Sequence, residues 1–184
     1  MTTIQKVRVP AGFAYAVLYL YVAQPRPTWY CLGLLVAAAG LAMRVWAAGC
    51  LEKFEELAIS GPYLWSQNPL YFGSFLMGLG FTLAGARAWL VVVFLVLFFA
   101  IYLPVMRREE EELLQAYGSQ YETYRRHVPR FWPRPRKSRS WPGWFSPSDT
   151  GSFQWGRVIS SREYRAAVGF LVVAVAVLIK MLLW

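Results

Sequence analysis

The feature that most constrains this 184-residue chain is a series of long apolar stretches. A helix needs about 20 largely apolar residues to cross the hydrocarbon core of a bilayer. With 57% hydrophobic and only 16% charged residues, the chain has enough apolar sequence for several crossings. We therefore predict an all-α protein, a polytopic transmembrane helical bundle with about five spans. The expected spans are residues 8–24, 29–48, 69–84, 88–106 and 166–184.

The distribution of polar residues predicts three regions along the chain. Residues 1–135 are expected to form a membrane core, and residues 166–184 an additional C-terminal transmembrane helix. Between them, residues 136–165 are rich in Pro, Ser, Arg and Trp, which is typical of an interfacial segment. This segment is expected to cover the cytoplasmic face. A more specific hypothesis is that it forms a lid over a binding site on that face. Its headgroup-level anchors would be Trp141, Trp144 and Trp155.

The basic residues predict the orientation of the chain in the membrane. Short loops rich in Lys and Arg stay in the cytoplasm, and twelve of the 19 basic residues lie between Arg107 and Arg165. We therefore expect a multi-pass integral membrane protein with a cytoplasmic N-terminus, in a bacterial inner membrane or its equivalent. The net charge of +9 would also suit a nucleic-acid partner, but no nucleic-acid motif accompanies it, so topology and lipid headgroups explain it better.

The first polar segment, residues 51–73, reads LEKFEELAISGPYLWSQNPLYFG. Its first half suits a short amphipathic helix at the membrane surface, ended by Ser60-Gly61-Pro62. A second break follows at residues 66–69, with Pro69 suited to the first turn of the third span. Two breaks so close together leave backbone amides and carbonyls that need partners beside a membrane. Two interpretations of this segment fit the sequence: a plain loop with two turns, and a binding site for a polar ligand.

The second polar segment, residues 107–133, reads RREEEELLQAYGSQYETYRRHVPRFWP. Leu and Tyr residues recur at helical spacing, which predicts that the fourth span continues into the cytoplasm as a helix or bends at Gly118. The run Glu109–Glu112 is typical of a solvated face. Glu109 lies directly above the spans, however, where a carboxylate can point inward if a cation pairs with it.

These segments together resemble a known family. GPY, then NPLYFG, then EE-x-x-L-x-x-x-Y-G-x-x-Y-x-x-Y-x-x-x-VP-x-x-x-P is similar to the isoprenylcysteine carboxyl methyltransferases, which are related to the membrane phospholipid methyltransferases. The resemblance covers residues 29–133. It implies an S-adenosyl-L-methionine-dependent methyltransferase that releases S-adenosyl-L-homocysteine. The acceptor would be a membrane lipid or other lipophilic molecule, with a prenylcysteine-like carboxylate or a phospholipid amine as the methylated group.

The resemblance also implies where the cofactor binds, at the cytoplasmic end of the spans. Carboxylates and aromatic faces can hold the ammonium and sulfonium cations of the cofactor. The implied cofactor-binding residues are Glu56, Leu57, Ala58, Tyr63, Asn68, Pro69, Leu70, Tyr71 and Glu109.

No catalytic nucleophile or metal is expected, because the sulfonium already activates the methyl group. The protein mainly has to align the acceptor and exclude water. Arg107 and Arg108 are candidates to hold a carboxylate or phosphate of the acceptor, with Arg125 and Arg126 as alternatives. The chain departs from the usual family pattern at Gln67, where a positive charge is more common.

Two other functions fit parts of the sequence. A membrane reductase of the sterol-reductase type carries related Asn-Pro-x-Tyr-x-Gly features but binds NADPH, and it would favour more positive charge than Gln67 provides. A non-enzymatic membrane scaffold could share the fold alone. Binding of adenosyl compounds or of nicotinamide cofactors distinguishes the three.

Overall fold

The structure, a computed structural model, describes residues 3–51, 57–134 and 153–183. These residues form six α-helices and one short 3-10 helix, without a strand. The predicted all-α fold class is therefore confirmed. In chain order the helices are α1 (Thr3–Val22), α2 (Pro27–Cys50), the 3-10 helix (Gly61–Leu64), α3 (Pro69–Ala84), α4 (Ala88–His127), α5 (Trp155–Ser160) and α6 (Tyr164–Leu183).

Three of the described helices, α2, α4 and α6, are long and apolar enough to cross a membrane. α3 is apolar but has only 16 residues, about 24 Å at 1.5 Å per residue and less than the hydrocarbon core of about 30 Å. α1 has 20 residues and contains Pro10, but it is not among the three. Length and composition therefore support three of the five expected spans, in an integral membrane protein.

α2 and α3 pack with their backbones in close approach. A Cβ atom added to Gly80 would lie 2.4 Å from the amide nitrogen of Ala37 and 2.5 Å from the carbonyl oxygen of Gly33. One added to Gly40 would lie 2.6 Å from the carbonyl oxygen of Gly73. Small residues on facing helices permit such an approach in membranes, where van der Waals packing is a principal source of helix association. The glycines thus fix α2 against α3 along most of α3.

The predicted helical hairpin of α3 and α4 is confirmed. α3 ends at Ala84 and α4 begins at Ala88, as the sequence predicts. Ala86 in the turn has a φ of 52°, and the amide of Gln24 donates a hydrogen bond of 2.9 Å to the carbonyl of Gly85. The end of α1 is thereby fixed to the turn, at the membrane end opposite the start of α3.

α4 continues well beyond the apolar stretch, as the spacing of Leu and Tyr predicts. It reaches His127, and Gly118 interrupts it with a φ of 51° and a ψ of −124°. Continuation and bend therefore both occur. Beyond the bend, Tyr121 and Tyr124 are buried against Leu57. The end of α4 thus packs on the segment that precedes the 3-10 helix.

The described part of the C-terminal region packs mainly on α2. The amide of Gln154 donates to the carbonyl of Gly49 at 3.0 Å, and the hydroxyl of Tyr30 donates to the carbonyl of Ala174 at 3.2 Å. Trp155 is exposed, which suits the predicted interfacial position. Trp141 and Trp144 lie outside the described residues, as do Glu52 and Glu55 of the predicted amphipathic helix, and no helix covers residues 57–59.

Gly80→Ala tests the close approach of α2 and α3. The added methyl group overlaps backbone atoms of α2, so the helices must separate, and we expect a loss of about 1 to 3 kcal/mol of stability. Thermal unfolding in detergent measures the change in Tm. The matched control is Gly169→Ala in α6, where an added Cβ meets nothing within 4 Å. Equal Tm values for the two variants would contradict the packing described here.

Candidate functional site

A cavity of about 700 Å³ lies at the end of the membrane bundle where α2 ends and α3 begins. Its walls come from α2, the segment around the 3-10 helix, α3 and α4. It is lined by Arg44, Leu51, Leu57, Ala58, Tyr63, Gln67, Asn68, Pro69, Leu70, Tyr71, Ser74, Tyr102, Glu109, Glu112, Leu113, Ala116, Tyr117 and Tyr124.

The structure brings the described residues of the implied cofactor site together in this one cavity. Glu56 lies outside the described residues. Arg107 and Arg108, the candidates for holding the acceptor, are exposed and do not line the cavity. The implied residues that line it are Leu57, Ala58, Tyr63, Asn68, Pro69, Leu70, Tyr71 and Glu109.

Tyr71 and Glu109 join α3 to α4 across the cavity. The hydroxyl of Tyr71 donates a hydrogen bond of 2.5 Å to Oε1 of Glu109, and the rings of Tyr71 and Tyr102 lie 5.3 Å apart. The sequence indicates that a carboxylate at position 109 can point inward if a cation pairs with it. Glu109 lines the cavity and accepts from the hydroxyl of Tyr71. A charge-assisted bond of this kind fixes the direction of the carboxylate.

Gln67 fastens the loop before α3 to the chain that follows α4. Its side-chain nitrogen donates to the carbonyl of Val128 at 2.6 Å, and its side-chain oxygen accepts from the hydroxyl of Tyr121 at 3.0 Å. Asn68 adds a bond of 2.8 Å to the carbonyl of Arg130. The protein itself therefore supplies hydrogen-bond partners at the helix break predicted for residues 66–69. A neutral amide suits position 67 because it both donates and accepts hydrogen bonds.

Three tyrosines form a neutral, buried wall beside the cavity. The hydroxyl of Tyr124 donates to the carbonyl of Tyr63 at 2.7 Å. Burial raises the pKa of both phenols well above the usual 10, and burial, with a smaller effect of Glu110, raises the pKa of Tyr121 to about 12. All three hydroxyls therefore remain protonated donors at neutral pH.

Arg44 is a cavity residue that the sequence interpretation missed. From its position near the end of α2, its long side chain could also extend toward the membrane interface. Nε and Nη2 of Arg44 bind both carboxylate oxygens of Glu163 at 3.0 and 2.9 Å, and Nη1 donates to Ser74 and, at 3.4 Å, to the carbonyl of Leu70. A two-point Arg–carboxylate pair of this kind is directional and strong.

Helical spacing could have revealed several of the other missed lining residues. Tyr102, Leu113 and Ala116 lie seven positions before, four after and seven after Glu109, and residues at these offsets share one face of a helix. Arg44 lies one turn after Gly40, where the backbones of α2 and α3 are close, but the sequence alone does not show this approach.

The other arginines proposed for the acceptor pair with neighbouring carboxylates. Arg125 lies 3.3 Å from Glu110, which Arg130 also contacts at 2.6 Å. Arg108 and Arg126 form pairs with residues four positions away on the same helix. These contacts hold the end of α4 together, and within the described residues the arginine that lines the cavity is Arg44.

No described residue of α5 or α6 lines the cavity. Glu163, at the junction between these helices, nevertheless contacts the cavity wall through Arg44. The described part of the C-terminal region therefore supports the cavity wall through Arg44 without lining the cavity itself. The hypothesis of a lid concerns residues 136–165, of which residues 136–152 lie outside the described part of the chain.

Comparison with known proteins gives one family and two related sequences. The sequence model of the phospholipid methyltransferase family matches residues 28–120. The nickel-cobalt-cadmium resistance protein NccN of Alcaligenes xylosoxydans xylosoxydans is 34% identical over 113 residues, 59% of this chain and 50% of that protein. The cobalt-zinc-cadmium resistance protein CzcN of Cupriavidus metallidurans is 32% identical over 112 residues, with the same coverage. The chain thus spans about half the length of these curated relatives. No solved structure matches it.

Glu163→Gln tests how much the Arg44–Glu163 pair stabilises the protein. The amide cannot accept both charged hydrogen bonds from Arg44, so we expect a loss of about 1.5 to 3 kcal/mol of stability, measured as a lower Tm in detergent. Glu122→Gln is the matched control, because Glu122 pairs with Arg126 on the exposed face of α4, where such pairs contribute about 0.5 kcal/mol or less. A Tm for Glu163→Gln equal to that of the control would show that the pair does not stabilise the fold.

Proposed function

The chain belongs to the phospholipid methyltransferase family, and on that premise we propose that it transfers a methyl group from S-adenosyl-L-methionine to a lipophilic acceptor within the membrane. The observation that carries the proposal is the cavity in which Tyr71 of α3 donates to Glu109 of α4. The eight described residues that the family resemblance implies for the cofactor all line this cavity.

The size and lining of the cavity suit this cofactor. Sites for small molecules occupy about 300 to 1,000 Å³, and this cavity is about 700 Å³. Glu109 supplies a carboxylate for the ammonium group of the cofactor, and the rings of Tyr63, Tyr71 and Tyr102 supply faces for the sulfonium. Cation–π contact with such faces contributes about 0.5 to 2 kcal/mol.

The protein's part in the reaction is alignment and the exclusion of water. When bound, the cofactor supplies a methyl group that is already activated by its sulfonium. Glu109 and the rings of Tyr63, Tyr71 and Tyr102 would hold the cofactor, which would supply the methyl carbon and keep the electron pair of its carbon–sulfur bond as S-adenosyl-L-homocysteine. An amine acceptor would release one proton for each methyl group that it gains. The Tyr71–Glu109 bond and the Gln67 contacts keep the cavity walls fixed during the transfer, and such positioning can account for much of the rate.

The acceptor that we favour is the amine of a membrane phospholipid, in agreement with the family name. The cavity adjoins apolar helices, so a lipid headgroup can reach it along the bundle while its acyl chains remain in the bilayer. A prenylcysteine-like carboxylate is the alternative acceptor, and the labelled product distinguishes the two. The basic residues after residue 106 support a cytoplasmic cavity and N-terminus, and we propose the bacterial inner membrane as the location.

The names of the two related proteins concern metal resistance. Within the described residues, no group of three or more His, Cys, Asp and Glu side chains is placed to hold a metal ion. The proposed function therefore rests on the family and the cavity. A contribution to metal resistance, if this chain makes one, would act through a methylated product.

Purified protein in detergent, given methyl-labelled S-adenosyl-L-methionine and total membrane lipid, tests the proposed reaction. We expect label in a phospholipid fraction and inhibition by S-adenosyl-L-homocysteine. Titration calorimetry with both adenosyl compounds and with NADPH measures cofactor choice. Binding of NADPH without binding of either adenosyl compound would favour the reductase instead, and no binding of any of the three would favour a scaffold.

Glu109→Gln and Tyr71→Phe test the cofactor position. Glu109→Gln removes the charge of the carboxylate, and Tyr71→Phe removes the hydroxyl that supports it. We expect each variant to lose about 1.5 to 3 kcal/mol of binding free energy, which corresponds to at least about tenfold weaker binding of S-adenosyl-L-methionine. Glu111→Gln is the matched control, since Glu111 is exposed on the same helix and does not line the cavity. Calorimetry measures the three affinities. Equal affinities for the Glu109 and Glu111 variants would mean that the cofactor binds elsewhere.

A further inference from the structure

A second cavity, of about 670 Å³, lies at the membrane end opposite the candidate cofactor site. It forms where the end of α1, the turn between α3 and α4 and the end of α6 meet. Its described lining includes two cations and no carboxylate. The lining residues are Leu20, Tyr21, Val22, Gln24, Arg87, Ala176, Ile179, Lys180 and Leu183.

Arg87 has a buried donor without a partner. Its Nε is buried and makes no hydrogen bond to any described residue. Buried polar groups in folded proteins are almost always hydrogen-bonded, so this guanidinium, which lines the cavity, has an unmet hydrogen-bonding capacity. A guanidinium offers several N–H groups in a planar fork, which matches the geometry of a phosphate.

Lys180 supplies the second cation and is held firmly in place. Its Nζ donates to the carbonyl of Tyr21 at 3.0 Å and also to the carbonyl of Leu20. These carbonyls belong to the last turn of α1, where no intrahelical partner is available. An ammonium group has three donors, so one N–H remains for a ligand beside these two bonds.

The surroundings favour a membrane lipid over a soluble anion. Leu20, Tyr21, Ile179 and Leu183 line the same cavity and are exposed, so apolar surface continues from the cations onto the lipid-facing helices. Trp89, two residues after Arg87, is also exposed and suits the headgroup level of a bilayer. A phosphate with acyl chains attached matches both parts of this surface.

We propose that this cavity binds the phosphate of an anionic membrane phospholipid between Arg87 and Lys180. The lipid joins the end of α1, the turn between α3 and α4 and the end of α6, at a level of the membrane where the described part of the chain has few other cations. It is a structural ligand at the end opposite the cofactor cavity, and the proposal is independent of the methyl-transfer reaction.

Full-length protein, stripped of lipid in detergent, tests the site by titration with phosphatidylglycerol, phosphatidylcholine and inorganic phosphate. Native mass spectrometry measures bound lipid, and thermal unfolding measures the shift in Tm. We expect phosphatidylglycerol to bind and to raise Tm, phosphatidylcholine to do so more weakly, and inorganic phosphate to leave Tm unchanged. A full Tm shift with inorganic phosphate would contradict a lipid site.

Arg87→Gln and Lys180→Gln should each weaken phosphatidylglycerol binding at least about tenfold, because each removes a charge-assisted bond. The matched control is Arg26→Gln, which removes the same charge at the same end of the bundle from an exposed residue outside the cavity. If Arg87→Gln does not fold, Lys180→Gln alone decides the result. Retention of the lipid by the cavity variants, or equal loss in the Arg26 variant, would overturn the proposal. Because this site lies at the end opposite the cofactor cavity, we expect the folded variants to bind S-adenosyl-L-methionine with the affinity of the unchanged protein.

Discussion

The backbone contact between α2 and α3 positions almost everything else in this protein. Gly33 and Gly40 of α2 face Gly80 and Gly73 of α3 with no room for a side chain between them. Association of membrane helices depends largely on such packing, because lipid tails are as apolar as the side chains they would replace. At the end of this contact Arg44 meets α3, and there the helices begin to enclose the candidate cofactor cavity.

Much of the fold could be predicted because apolar length and helix-breaking residues are local properties. Pro69, Gly85 and Gly118 mark the beginning of α3, the turn after it and the bend in α4, and each lies where the sequence indicates. The number of crossings was less predictable. α3 is apolar throughout but short, and composition does not show how a short helix is accommodated in a bilayer.

The candidate site was predictable where a motif marks it, and not where distant segments meet. The resemblance indicates Tyr71 and Glu109, which the structure joins by a hydrogen bond. It does not indicate Arg44, because its partner Glu163 is 119 residues away. Gln67 was interpreted only as the loss of a positive charge. Its contacts with Val128 and Tyr121 show a neutral amide with a structural use, which no local pattern of residues reveals.

The Arg44–Glu163 pair also has a consequence for how the protein is made. A ribosome synthesises Glu163 at a point 119 residues after Arg44, so α2 enters the bilayer while the carboxylate for its arginine does not yet exist. An arginine costs about 2.5 to 3.5 kcal/mol on insertion at the centre of a membrane helix, and less at the position of Arg44 near the end of α2. α2 must therefore insert on its own hydrophobicity, and the pair can form only after Glu163 has been translated. Formation of the Arg44–Glu163 pair is thus a later step in the assembly of the bundle than the synthesis of α2.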